Sequence, residues 1–300
     1  MYLFNDKEIL NTRYRSGLIE ELKNEKTSVS SIGVFDSYIG FVKATLILLF
    51  TQKKYISSNM KCNVLCMLFF WKRGTIIING LGRNKINRKF RRIMAFLFLI
   101  NKNKEIIFQN YADYRFFRLN QNNPSIFWVP GSGGNMRATG QSDNITIVSR
   151  DNKINYSAQS ILKIKNLETG KKIYIVGCSK EKIKETFNDT NIIGCGYVNQ
   201  EDIFGNSKIF FQPSGYGEGV PHTLVDAMCS DMKILISKKD FLSFGLHKLN
   251  FNYKKIDQDI IVIEQCSSKS AQLENKNISL EYCDIILRKE MNEFSPSLSQ

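Results

Sequence analysis

Short apolar runs alternate with longer amphipathic stretches along the whole chain. In the first half, "MYLF" (1–4), "SVSSIGVF" (28–35), "KYISS" (54–58), "GTIIIN" (74–79) and "EIIFQ" (105–109) read as strands. Helical patterns separate them, clearest in "SGLIEELK" (16–23) and "NRKFRRIMAFLFLI" (87–100). The second half repeats the arrangement with "NITIVS" (144–149), "KIYIVG" (172–177), "NIIGCGYV" (191–198), "KIFFQPS" (208–214), "MKILIS" (232–237) and "DIIVIE" (259–264). Near-continuous apolar strands alternating with helices predict a parallel sheet covered on both faces. Two such sets in succession predict an α/β chain of two doubly wound domains. Between them "VPGSGGNMRATGQSDN" (129–144) is rich in Gly, Ser and polar residues, as a linker would be. The expected division is 1–135 and 136–300, with "SLEYCDIILRKEMNEF" (279–294) as the terminal helix of the second domain.

Composition narrows the class. With 43% hydrophobic and 23% charged residues, the 300-residue chain is of ordinary globular make-up and long enough for two cores. Its longest apolar runs, "ATLILLF" (44–50), "VLCMLFFW" (64–71) and "IMAFLFLI" (93–100), fall short of the roughly 20 residues a spanning helix needs. The start "MYLFNDKEIL" lacks the marks of a signal peptide, so a cytoplasmic location is expected. Seven scattered cysteines make no disulfide framework, and Cys62 and Cys66 are four apart on a predicted helix, not a CxxC pair. The two histidines, His222 and His247, have no zinc-ligand spacing, so neither metal nor cofactor is expected.

Charge divides the chain more sharply. The net charge is +14; residues 1–140 hold 22 Lys/Arg against 8 Asp/Glu, whereas 141–300 hold 20 of each. Residues 51–100 hold 11 basic side chains and no acidic one, densest in "RNKINRKFRR" (83–92) just before "IMAFLFLI". A basic cluster beside an apolar helix suits an anionic membrane surface. It would also suit nucleic acid, but no recognition motif accompanies it and no nucleic-acid partner is expected. A solvated helix face is the plain alternative.

The stretch "PSGYGEGVPHTLVDAM" (213–228) has the strongest chemical character. It puts three glycines and two prolines between a buried strand and a short helix, an entropic cost that folding alone does not justify. In an open parallel sheet, ligands bind beyond the carboxyl ends of the strands. Pro221 suits a helix start, and the free N–H groups there favour a phosphate. Leu224, Val225 and Met228 take the core side, leaving His222 and Asp226, four apart, on another. Glu218 and Asp226 could grip vicinal hydroxyls of a sugar; equally, Glu218 could complement the helix dipole and Asp226 pair with His222.

"FFQPSGYGEGVPHTLVDAM" (210–228) resembles the signature of the group 1 (family 4) retaining glycosyltransferases of surface-polysaccharide type. "IIFQNYADYRFF" (106–117), "WVPGSGGN" (128–135), "ITIVSRDNK" (145–153), "IYIVG" (173–177) and "GYVNQEDIFGNSKIFFQPS" (196–214) agree in order, so the similarity covers about 74–237. The resemblance implies the GT-B arrangement, two Rossmann-like domains facing a cleft. It implies Glu218 as the carboxylate on the donor sugar, with Gly219, Val220 and Pro221 offering backbone to sugar and diphosphate. Asp226 matches a ribose ligand that the family usually supplies as Glu. Arg150 matches a base that neutralises the donor diphosphate, and Lys153 its partner at shortened spacing. "NGLG" (79–82) resembles the acceptor-domain loop, making Asn79, Gly80 and Gly82 binding candidates; the family commonly has His where Asn79 stands.

The function so implied is metal-independent, retaining transfer of a hexose or N-acetylhexosamine from a nucleotide-sugar donor, expected to be UDP-linked, with Glu218 and Arg150 carrying catalysis. The acceptor would be a lipid-linked glycan in O-antigen or capsule (lipopolysaccharide) assembly, on the cytoplasmic face of the inner membrane, docked through 83–92. Asn79, Asp226 and the shortened 150–153 region carry an alternative, a non-catalytic partner subunit; a sugar-nucleotide epimerase or hydrolase on the same architecture is another. "GSGGN" (131–135) reads as a hinge and "GCGYV" (194–198) as a strand end. Trp71 and Trp128 read as core or interface residues, and Tyr111, Tyr114, Phe116 and Phe117 as core.

Overall fold

The computed structural model describes residues 1–81, 87–121, 125–213, 219–264 and 270–293. The chain forms two compact units, Met1–Ser132 with Asn275–Gln300, and Gly133–Glu274.

The first unit holds six strands, β1 (Tyr2–Asn5), β2 (Ser30–Gly33), β3 (Tyr55–Ser58), β4 (Gly74–Ile78), β5 (Lys104–Phe108) and β6 (Ile126–Trp128). They form one sheet in the order β2-β1-β3-β4-β5-β6 with every pairing parallel. Five are the strands expected from the apolar runs; β6, at three residues, is too short to show as one. Helices α1 (Glu8–Asn24), α2 (Tyr38–Phe50), α3 (Met60–Leu68), α4 (Arg88–Ile100) and α5 (Tyr111–Gln121) connect them. On one face, Phe98, Phe108 and Phe117 pack in edge and stacked contacts with Ile76, Ile106 and Met94. Tyr114 and Phe116 lie half-buried against this core, as expected of that aromatic series. Trp71 does not: it is 53% exposed, set beside Phe69 and Phe70 in the loop after α3.

The last helix, α10 (Asn275–Glu293), belongs to the first unit, not to the second domain as expected. It lies on α1, where Gly17 is the close point: a Cβ there would come within 2.4 Å of Asn275 Oδ1 and 2.5 Å of Ser279 Oγ. Tyr282 of α10 is buried, and its hydroxyl donates to the Gly131 carbonyl at 2.7 Å. Proximity in space, not in sequence, decides where this helix goes.

The second unit holds β7 (Ile145–Val148), β8 (Ile173–Val176), β9 (Ile192–Gly196), β10 (Ile209–Gln212), β11 (Lys233–Ser237), β12 (Tyr253–Lys255) and β13 (Ile260–Ile263). Their order is β12-β13-β11-β10-β7-β8-β9. The pairings from β11 to β9 are parallel, while β13 runs antiparallel to β11 and to β12, so the expectation of an all-parallel sheet fails at this edge. A hairpin of β12 and β13 closes it, a connection too short for a parallel crossover. Helices α6 (Ile154–Leu167), α7 (Lys180–Thr186), α8 (His222–Cys229) and α9 (Lys238–Phe244) cover the sheet. Ile145, Ile147, Ile161, Ile173, Ile175 and Phe211 centre the core.

Candidate functional site

Strand order locates the site in the second unit. From β7 the chain moves outward through β8 and β9, then returns to place β10 on the other flank of β7. Connections leave β7 and β10 in opposite directions, which opens a crevice beyond their carboxyl ends, where ligands of such sheets sit. Two of the expected site elements stand at this point. Arg150 follows β7, and Gly219–Pro221 lead from β10 into α8.

The loop after β7 is held by its own backbone. The Arg150 carbonyl accepts N–H groups from Lys153 at 2.8 Å and Ile154 at 3.0 Å, which starts α6 and leaves the Arg150 side chain exposed. Asp151 accepts the Ser179 N–H at 2.8 Å, tying this loop to the one after β8. Lys153 is the residue that precedes α6, one turn from Arg150. The sheet thus brings Arg150 and Lys153 into one loop.

Opposite them, Pro221 caps α8 with φ −66° and ψ 136°, and its carbonyl accepts from Leu224 and Val225. Its extended conformation stops the helix from reaching back, so the first N–H groups of α8 point out of the sheet edge. Gly219 and Val220 are buried just before it. Glu218 lies outside the described residues, as does Gly82.

Asp226 is placed differently from its expected role. It is 1% exposed on a helix whose residues from Leu224 to Cys229 are all buried, so spacing alone misassigns its face. Its Oδ1 accepts the Asn135 N–H at 2.8 Å, and its Oδ2 stands 3.5 Å from Arg137 Nη2. His222 Nε2 is 3.9 Å away, so the pairing with His222 left open by the sequence has its geometry. Gly134 makes the approach possible, since a Cβ there would meet the Val225 carbonyl at 2.8 Å and Asp226 N at 2.9 Å. Ser230 completes the attachment by accepting the Arg137 N–H at 2.8 Å. Burial, helped by the Asp226 charge, pushes the nearby Cys229 thiol up to about 12, so it stays protonated at neutral pH. Asn135 and Arg137 were missed in the sequence because "GSGGNMR" reads as linker.

In the first unit, Asn79 and Gly80 follow β4 at its carboxyl end, both half-buried. Asn79 Nδ2 donates to Asn59 Oδ1 at 2.8 Å, and its Oδ1 accepts from Arg15 at 2.8 Å. Nothing in the sequence of α1 marks Arg15, which sits in a mixed polar helix.

Among the described residues, no cluster of three or more His, Cys, Asp or Glu side chains could hold a metal, and no helix is long and apolar enough to cross a membrane.

No protein-family model matches the sequence, and no curated protein matches it. Solved structures do match. TarM aligns at 16% identity and TM-score 0.51 over 84% of this chain and 57% of that one. The GtfA/B complex aligns at 11% identity and TM-score 0.51, over 84% and 60%. The Anabaena protein HepE, solved with UDP-glucose, aligns at 11% identity and TM-score 0.57, over 96% and 90%. The chain therefore spans less than two thirds of the TarM and GtfA/B chains but nearly all of HepE. What it shares with them is the GT-B fold, two Rossmann-like α/β units in succession.

Proposed function

We propose that the chain is a glycosyltransferase that moves a hexose or N-acetylhexosamine from a UDP-linked donor to a lipid-linked glycan, with retention of configuration, in surface-polysaccharide assembly. The observation that carries the reading is the juxtaposition at the switch point of the second sheet. Arg150 and the amino end of α8 leave adjacent parallel strands, β7 and β10, at the same edge. A departing nucleotide diphosphate gains negative charge, and its departure is eased where fixed positive potential awaits it. Arg150, Lys153 and the α8 N–H groups supply that potential. Glu218, with the backbone of Gly219 and Val220, orients the donor sugar. Asp226 supports the seat from beneath through Asn135 and Arg137, with ribose as its further partner. Retaining transfer of this kind expels the diphosphate from the face the acceptor attacks and needs no protein nucleophile. HepE binds UDP-glucose on the same fold, which supports UDP as the nucleotide.

Docking at an anionic membrane belongs to the same reading. On α4, Lys89, Arg92, Ile93, Phe96, Leu99 and Ile100 form one exposed stripe, basic at its start and apolar at its end. Residues 83–86 of the expected basic cluster lie outside the described residues.

The test is a thermal-shift screen of UDP-, GDP- and TDP-sugars followed by transfer assays of the wild type and Glu218→Ala. Stabilisation by a UDP-sugar with transfer lost in Glu218→Ala is expected. Unchanged transfer in that variant removes the site assignment. Binding without turnover on any lipid acceptor assigns instead a non-catalytic subunit, and a free epimerised or hydrolysed sugar assigns the epimerase or hydrolase.

A further inference from the structure

The first sheet has a switch point of its own, between β1 and β3, and its contents are unlike those of the second. From β1 the chain goes to β2 on one flank, then to β3, β4 and β5 on the other. A chain of carboxamides lies across the carboxyl ends at this point. Asn59 donates to Asn5, Asn79 donates to Asn59 at 2.8 Å, and Asn5 donates to Asn11 at 2.9 Å. Asn59 keeps its place with φ 73°, a left-handed conformation that a non-glycine residue holds at a cost. At the head of the chain stands Arg15, 2% exposed.

Every partner of Arg15 is neutral. Its guanidinium donates to Asn79 Oδ1 at 2.8 Å, Ser58 Oγ at 3.2 Å and Ser132 Oγ at 3.3 Å, and lies 5.4 Å from the Tyr282 ring centroid. Nε has no acceptor. Burial raises the Tyr282 phenol above its ordinary range, so it supplies no negative charge. Among the described residues no carboxylate pairs with Arg15. Buried ions are ordinarily paired, because an unpaired one forfeits hydration and receives little in return. A packed helix could carry Leu or Gln at this position with less penalty. The charge therefore answers a need outside the fold.

We infer that Arg15 is the floor of an oxyanion seat at the switch point of the first sheet, taking a phosphate or carboxylate group of a small ligand. Asn79 and Ser132, both half-buried, hold the outer positions, and rotation of their side chains away from Arg15 opens its N–H groups to the ligand. With the transfer reading above, on which only this last step rests, the oxyanion belongs to the acceptor and not to the donor.

The experiment titrates the full-length chain with inorganic phosphate and with acetate, followed by thermal shift and calorimetry. It uses Arg150→Gln as background, so that the seat in the second unit contributes less, and compares it with Arg150→Gln/Arg15→Gln and Arg150→Gln/Arg15→Lys. Removing a charge-assisted contact should weaken anion binding about tenfold or more in the Gln variant, with partial retention in the Lys variant. Without anion, the melting temperature of the Gln variant should equal or exceed that of its background, since an unpaired buried charge has been removed. The two anions tell phosphate from carboxylate. A Gln variant that fails to fold, melts lower without anion, or binds anion as before shows Arg15 to be a structural strut and overturns the inference. UDP binding is measured separately on the wild type: its absence would count against the donor site while leaving the Arg15 result standing.

Discussion

Asp226 accepts the backbone N–H of Asn135 at 2.8 Å, across 91 positions of sequence. The bond fastens the stretch that opens the second unit to the helix bearing the candidate phosphate seat. Arg137, 3.5 Å from the other carboxylate oxygen, is 13% exposed at its side chain and Asp226 2%. Removing one member of such a pair strands the other. Asp226→Ala is expected to destabilise the chain by about 3 kcal/mol in urea denaturation. Asp226→Asn, which keeps an acceptor for Asn135, should cost less, and adding Arg137→Met to Asp226→Ala should recover part of the loss. Equal losses in all three would show that the pair is not coupled.

Arg150 has the opposite character. Its side chain is exposed and its loop is held by the backbone carbonyl, so Arg150→Gln should leave stability within about 0.5 kcal/mol of wild type. Loss of a charge-assisted contact to a diphosphate should still weaken UDP binding by about tenfold or more. Calorimetry with UDP, beside a melting curve, separates the two effects. A variant that binds UDP normally would take Arg150 out of the donor site.

These contrasts show how far the sequence could be read. Strands such as "GTIII" and "KILIS" announce themselves because a buried strand needs apolar residues on both faces. The loop before α8 was legible because its glycines and prolines serve no folding purpose. The direction of β13 was not, since "DIIVIE" is equally apolar whichever way it runs. Nor was the home of α10, which depends on a seat at Gly17 more than 250 positions earlier. Asp226 was misread because spacing assumes a helix with one wet face, whereas α8 has almost none. Arg15 left no trace, since its meaning lies in the partners it lacks.

Lys104 anchors the loop that exposes Phe70 and Trp71. It is fully buried, and Nζ donates to the carbonyls of Phe69 at 3.1 Å, Phe70 at 3.2 Å and Lys72 at 2.7 Å. Lys104→Met would leave three carbonyls without their donor and should destabilise the chain by roughly 3 kcal/mol at neutral pH. Burial also lowers the amine from 10.5 to about 8, against a smaller upward pull from Cys66 and Glu105. Between these values the unfolded chain holds a proton that the folded chain has released. Stability contributed by Lys104 therefore rises with pH from about 8 to 10.5 and is flat below about 8. Denaturation at several pH values should show that rise in the wild type relative to Lys104→Met. A difference that falls over this window would contradict the assignment.

The membrane reading makes a demand on individual charges of α4. Arg91 lies 4.0 Å over the Phe116 ring and is spent on packing, whereas Arg88, Lys89 and Arg92 are exposed. Each exposed charge near an anionic surface contributes about 1 kcal/mol, so neutralising the three should weaken binding by roughly 100-fold. Sedimentation with vesicles of anionic lipid measures this, and Arg91→Gln alone should have little effect on it. Phe96, 60% exposed on the same stripe, supplies the apolar part, so Phe96→Ser should weaken binding to anionic vesicles without altering its salt dependence. Binding that is unchanged in the triple variant would place any membrane contact elsewhere on the chain.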